Sequence, residues 1–165
     1  MIPRRALKYW ARFWMRHAGL TSAGRLSARL AGCFSPPYKG RCFLAHVTSN
    51  PYVAPSADIH HTALVCGNSV FIGERVVIYQ AKDGGPVHIG KGTHIHQDTI
   101  VETGSHGMLE IGPDTHIQPR CQFSAYVGSI KIGRGVQIAP NCSFYPYDHG
   151  YEARHLIKDQ PLNSN

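Results

Sequence analysis

An isoleucine followed by glycine recurs four times in the middle of this chain, as Ile72-Gly73, Ile89-Gly90, Ile111-Gly112 and Ile132-Gly133, at intervals of 17, 22 and 21 residues. Six positions after each Ile stands another, Ile78, Ile95, Ile117 and Ile138, and six further on lie Val101, Phe123 and Phe144. A helical period of 3.6 does not produce a beat of six, and neither does simple alternation. A chain that makes a short extended segment, turns through a corner and repeats does produce it, with one apolar side chain pointing inward from each of three sides. Val70, Val87, Leu109 and Ile130, two places before each Ile-Gly, support extended segments, because residues two apart share a face of a strand. A weaker copy of the pattern starts at Val53 and Ile59. The expected architecture is therefore a triangular prism of stacked coils over 52–149.

Aligning the coils on the four Ile-Gly pairs predicts vertical columns. Thr99, Cys121 and Cys142 form a small inward corner column, and Asp98, Arg120 and Asn141 its outward neighbour, in which Asp98 can pair with Arg120. His94, His116 and Gln137 make a third column, read as a solvent-facing polar rung in preference to a metal site. Differences in coil length fall on corner excursions: Lys82 to Pro86, with Gly-Gly-Pro turn chemistry, then Ser105-His106-Gly107 and Val127-Gly128-Ser129. His149 follows Phe144 at the offset at which His106 follows Val101, which places it where a coil opens into a loop.

The 165 residues suffice for one domain with its own core. Five cysteines without a CxxC pair argue against a disulfide framework or a zinc site and for a reducing, cytoplasmic compartment. Cys121 and Cys142 are expected as neighbouring free thiols. The net charge of +7 is local: seven of the 17 Lys and Arg lie in residues 1–32, which hold no Asp or Glu, and the other ten balance the ten acids.

Residues 1–34 read as a basic amphipathic helical segment. Ala6, Leu7, Trp10, Phe13 and Trp14 share one face of a helix and Arg4, Arg5, Lys8, Arg12 and Arg16 the other. Gly19 ends this helix, Thr21 or Ser22 caps a second one carrying Leu26 and Leu30, and Gly32 ends that. The charges exclude a secretory or membrane-spanning helix. The aromatic face suits a cap over the first coil, the favoured reading, or a peripheral membrane contact through residues 4–16. The Arg-rich, acid-poor composition also resembles a transit peptide. No nucleic-acid-binding motif accompanies the charge, so a nucleic-acid partner is not expected.

The hexads Ile89-Gly-Lys-Gly-Thr-His, Ile111-Gly-Pro-Asp-Thr-His and Ile132-Gly-Arg-Gly-Val-Gln resemble those of the hexapeptide-repeat acyltransferases, whose fold is a left-handed parallel β-helix. The stretch Ile138-Ala-Pro-Asn-Cys-Ser-Phe-Tyr-Pro-Tyr-Asp-His149-Gly is similar to the branch that O-acetylates sugars and surface polysaccharides. The resemblance spans about residues 52–165 and implies an all-β, left-handed parallel β-helix with an N-terminal amphipathic helical segment. It further implies acetyl-CoA as co-substrate, no metal, a glycan or small-molecule acceptor and a homotrimer. In the family, a loop His is the general base that deprotonates the acceptor hydroxyl, and His149 matches it. Imidazole in water titrates near ~6.5, so much of it is free base near neutrality. Asp148, Tyr147 and Asn141 are the expected substrate contacts, and His155 is the reserve base.

The family normally continues from this loop into further coils, with a Trp-Ile-Gly-like stretch and a Gly-rich run, and these help form the acetyl-CoA groove between subunits. Residues 150–165 read as a loop and tail leading toward such coils. The expectations are a fragment of a longer acyltransferase, the favoured reading, or a shortened non-catalytic β-helical assembly module. The chain by itself is expected to bind acetyl-CoA weakly or not at all. A third reading is a zinc enzyme similar to the γ-type carbonic anhydrases, with His94, His96 and His116 as ligands.

Overall fold

The computed structural model describes residues 3–164. Met1, Ile2 and Asn165, the outermost members of the expected segments 1–34 and 150–165, lie outside the described residues.

Short parallel strands wind around three faces. The first face stacks Tyr52–Val53, Phe71–Ile72, His94–Ile95, His116–Ile117 and Gln137–Ile138. The second stacks Asp58–His60, Val77–Gln80, Ile100–Thr103, Gln122–Ala125 and Ser143–Phe144. The third stacks Leu64–Cys66, Val87–Ile89, Leu109–Ile111 and Ile130–Ile132. This is the expected parallel β-helix, consistent with the left-handed class, with four complete coils and two faces of a fifth. Its corner excursions all lie between the second and third faces.

The beat of six has a direct structural cause. Each strand of the first two faces points one aliphatic or aromatic side chain into the prism, and each full strand of the third points two: Val53, Ile72, Ile95, Ile117 and Ile138 on the first, and Ile78, Val101 and Phe123 on the second. Val87, Ile89, Leu109 and Ile111 do the same on the third. Each such burial stabilises by about 1.5–3 kcal/mol before chain entropy is counted. Three residues after an inward side chain the backbone turns through the left-handed region, at Ser69, Arg75, Asp98, Asp114, Arg120 and Asn141, with φ between 54° and 63°. Gly92 and Gly135 hold the same place on the third-face corner at 68° and 69°. Asp, Asn and Gly tolerate this conformation best, which accounts for much of the hexad's polar lettering.

The register differs from the alignment on Ile-Gly pairs. Ile72 pairs with Val53 and Ile95 on the first face, whereas Ile89 pairs with Cys66 and Ile111 on the third. Ile-Gly thus serves two faces, and the early third-face position that matches Ile89 is held by Cys66-Gly67. The same shift re-pairs the outward corner column. Asp98 accepts from Arg75, 2.7 Å from Nε and 2.9 Å from Nη2, and Arg120 donates from Nε to Asn141 Oδ1 at 2.8 Å. The expected Asp98–Arg120 pair is replaced because Arg75 reaches Asp98 from the preceding coil.

The inward corner column is as expected. Thr99 and Cys121 are buried, the Cys121 thiol lies 3.2 Å from the Ala139 carbonyl, and the cysteines are free. A second polar ladder runs beside it: Thr93 Oγ1 donates to Gly112 O and Thr115 Oγ1 to Gly133 O, both at 3.0 Å, so these buried hydroxyls are satisfied coil to coil.

Helices α1 (Arg4–Met15) and α2 (Ser22–Ala31) and a 3-10 segment, Tyr38–His46, cover the start of the prism. Thr21 caps α2 by accepting from Gly24 N at 3.1 Å, and Gly32 closes its C-terminus. Met15, Ala28, Ala31 and Leu44 pack with Tyr52, Ala54 and Phe71. The buried stripe of α1 runs through Ala11 and Met15, with Trp14 half-buried. Trp10 and Phe13, expected to face the coil, remain 38% and 54% exposed. Met15 and the small Ala11 allow close approach to the strands, and that rotates the bulky rings outward. Among the described residues no helix is long and apolar enough to cross a membrane.

Candidate functional site

At the far end of the prism the chain leaves the second face through Tyr145-Pro146 and forms a short strand, Tyr147–His149, which pairs antiparallel with Leu162–Ser164. Tyr147 lies opposite Ser164, Asp148 opposite Asn163 and His149 opposite Leu162. The segment expected as a simple loop and tail is therefore a closed ribbon folded back on the rim. Alternation along a strand puts His149 on the side of Tyr147 and Asp148 on the opposite side, so Asp148 is poorly placed to orient the imidazole beside it. The Tyr147 hydroxyl lies 2.9 Å from Ser124 Oγ, which is also 3.3 Å from Glu102 Oε2. His149 and Asp148 are both exposed.

Asn141 turns the corner between the first and second faces, and its side-chain oxygen is held by Arg120. His149 belongs to the next corner, after the second face, so the structure separates these two by the width of a face. His155 lies in the tail, 3.9 Å from Glu152. With Gly150, Tyr151, Gln160 and Asn163 it lines an open cleft of about 700 Å³ that begins one residue beyond His149. Gln160 closes this tail on itself, accepting from Glu152 N at 2.7 Å and donating to the carbonyls of Glu152 and His155.

A second cluster lies on the first face, beneath the Tyr38–His46 segment. The outward column of the first face runs Tyr52, Phe71, His94, His116 and Gln137. Tyr52 and Phe71 stack at 5.3 Å, and His94 and His116 approach to 4.6 Å between ring centres. His94 was expected to face solvent with His116 and Gln137, yet it and His96 are buried. They are only 7% and 4% exposed, because the Tyr38–His46 segment lies over them. His46 Nε2 is 3.1 Å from His94 Nε2, and Tyr38 packs edge-on against His96. One donor atom each from Cys42, His94 and His96 lies within 4.8 Å of the other two.

Burial lowers both imidazoles to about 4, aided at His94 by the neighbouring rings of His116, His46 and His96, and at His96 by Lys39 and His116. Burial likewise raises the Cys42 thiol. The Tyr38–His46 segment carries no periodic hydrophobic signal, so nothing in the sequence tied Cys42 or His46 to the histidine column. The nearest clue was the dense spacing of Cys42 and His46 ahead of the first coil.

No family model matches this chain, and no curated protein sequence matches it. Among solved structures it is similar to a mutant perosamine N-acetyltransferase from Caulobacter crescentus, in complex with CoA and GDP-perosamine. The identity is 15%, the match covers 85% of this chain and 69% of that one, and the TM-score is 0.19.

Proposed function

We propose that this chain is an acyltransferase of the hexapeptide-repeat type that moves an acetyl group from acetyl-CoA to a hydroxyl of a saccharide-type acceptor, with His149 as general base. The reading rests on one combination: a three-faced parallel β-helix whose last coil opens into Tyr147-Asp148-His149, with His149 exposed and followed in the chain by Gly150, which lines an open cleft. In the proposed step a ring nitrogen of His149 takes the proton of the acceptor hydroxyl as its oxygen attacks the thioester carbonyl carbon. Collapse of the tetrahedral intermediate breaks the C–S bond, and the thiolate of CoA leaves with the proton returned by the imidazolium. Tyr147, held by Ser124 on the same side of the strand, is suited to contact the acceptor, and Asp148 on the other side to act on charge in the rim. Asn141, a face away, would reach an acceptor bound by the same chain only if that acceptor were extended. A homotrimer, which would bring a neighbouring subunit's surface against this rim, belongs to the same proposal, as does peripheral membrane contact through the exposed aromatic and basic residues of α1.

The test is release of free CoA from acetyl-CoA in the presence of saccharide alcohols. His149→Ala is expected to lower turnover by roughly 10²–10⁴-fold, while His155→Ala leaves it close to the parent value. Undiminished turnover in His149→Ala removes the assigned base. A parent chain that releases no CoA favours the non-catalytic assembly module. That second reading has its own support, since the final strands Ile130–Ile132, Gln137–Ile138 and Ser143–Phe144 each stand at the end of their sheet and, among the described residues, present unpaired edges suited to stacking.

A further inference from the structure

We propose that Cys42, His94 and His96 form a zinc site that clasps the N-terminal cap to the first face of the prism. The three side chains come from two separately built elements. Cys42 lies on the 3-10 segment, and His94 and His96, two residues apart, project outward from one strand and its continuation toward that segment. Their donor atoms already lie within 4.8 Å of one another. A tetrahedral zinc with Zn–S near 2.3 Å and Zn–N near 2.0–2.1 Å holds neighbouring ligand atoms roughly 3.3–3.7 Å apart. Side-chain shifts on the order of 1 Å therefore close the site.

Two further observations favour a metal over a merely packed cluster. His96 Nδ1 is fully buried without a hydrogen-bond partner among the described residues, and an orphaned buried polar atom is costly and rare. A zinc ion on that nitrogen removes the cost. His94 is in turn held by His46 through Nε2, the kind of outer hydrogen bond that fixes the ring of a ligating histidine. The mixed thiolate and imidazole set selects zinc over magnesium or calcium, which prefer oxygen.

Binding converts Cys42–SH and Zn²⁺ into a Cys42–S–Zn unit and one released proton, with no change of oxidation state. The fourth position is filled by water. This site differs from the expected His94, His96 and His116 set in using the cap's cysteine in place of His116, so it joins two elements of one chain.

The decisive experiment loads the full chain with zinc, removes loose metal by gel filtration, and measures bound zinc. Co²⁺ is exchanged in parallel to read the thiolate-to-cobalt charge-transfer band in the near ultraviolet. The parent chain is expected to retain stoichiometric zinc and to show the band. Cys42→Ser abolishes the band, His96→Ala loses the metal, and His46→Ala weakens affinity roughly 10–100-fold. Cys33→Ser, His116→Ala and His149→Ala keep both signals, which separates this site from the rim and from the proposed acyl transfer. A parent chain that stays metal-free or shows no thiolate band, or a band surviving in Cys42→Ser, overturns the proposal. The parent-chain cobalt spectrum decides by itself should a variant fail to fold.

Discussion

Protonating His94 or His96 places a cation beneath the Tyr38–His46 segment, against Phe71 and Tyr38 rings and within reach of Lys39 and the His46 and His116 imidazoles. In the folded chain both rings are held down to about 4, whereas in the unfolded chain they titrate near ~6.5. The folded state thus binds fewer protons through this interval. Stability from these two residues is complete above the unfolded value and is lost as pH falls from about 6.5 toward about 4. For chain freed of metal by a chelator, the urea midpoint is expected to drop between roughly pH 7 and pH 5, and His94→Gln with His96→Gln to flatten that dependence. An unchanged slope in the double variant would show that other groups control the acid sensitivity. At Arg75, Asp98 and Arg120, the same attention to individual partners explains a modest error of reading: an outward charge can pair with the coil before it or the coil after it, and the choice turns on rotamer reach.

On the scale of a coil, the glycine after each third-face aliphatic is required by how close the next coil lies. A methyl group added to Gly90 would sit 2.5 Å from Pro113 N and 2.7 Å from Gly112 C. At Gly67 it would sit 2.6 Å from Lys91 N, and at Gly112 2.5 Å from Gly133 C. Gly133 ends the column, and there the nearest atom is the Val136 side chain at 4.0 Å. Gly90→Ala is therefore expected to destabilise by about 1–3 kcal/mol through backbone displacement, and Gly133→Ala to be close to neutral, as read by denaturant midpoints. Equal losses would indicate a further layer stacked on the last coil.

This column also shows what was legible beforehand. The beat of six and the Ile-Gly recurrence reveal the prism, because inward burial and coil spacing both leave marks on residue type. They do not reveal which face Ile72 occupies, because a methyl group added to Gly73, on a different face, would likewise sit 3.0 Å from the Gln97 backbone nitrogen, and Cys66 hides the column's first member. The Asp-His loop drew attention to His149 through its offset, but its pairing with Leu162 depends on a chain reversal with no periodic signature. The burial of His94 and His96 depends on the aperiodic Tyr38–His46 segment and was invisible for that reason.

For the molecule as a whole, a solenoid's coils contact mainly their neighbours, so stability is passed along the stack and the ends need protection. Here the first end is covered by a small second core in which Met15 is completely buried with Leu44, Tyr52 and Phe71. The C-terminal carbonyls of α1 are anchored to the chain just ahead of the first coil: Thr48 Oγ1 donates to Met15 O at 3.2 Å and Asn50 Nδ2 to Arg16 O at 2.8 Å. Arg25 adds a bond from α2 to the Ala57 carbonyl at 2.8 Å. Truncating Met15 opens a cavity at the junction between cap and prism and is expected to cost about 2–5 kcal/mol, whereas Phe13→Ala removes an outward ring and should change stability little. Because coupling runs from neighbour to neighbour, the damage should be graded along the axis. Hydrogen exchange in Met15→Ala is expected to accelerate most at the first-coil amides Tyr52, Ala54 and Asp58, which donate to Val70, Ile72 and Val76. It should accelerate least at His116, three coils away. A uniform acceleration from Tyr52 to His116 would mean that cap and prism unfold as one indivisible unit, and the graded picture would fail.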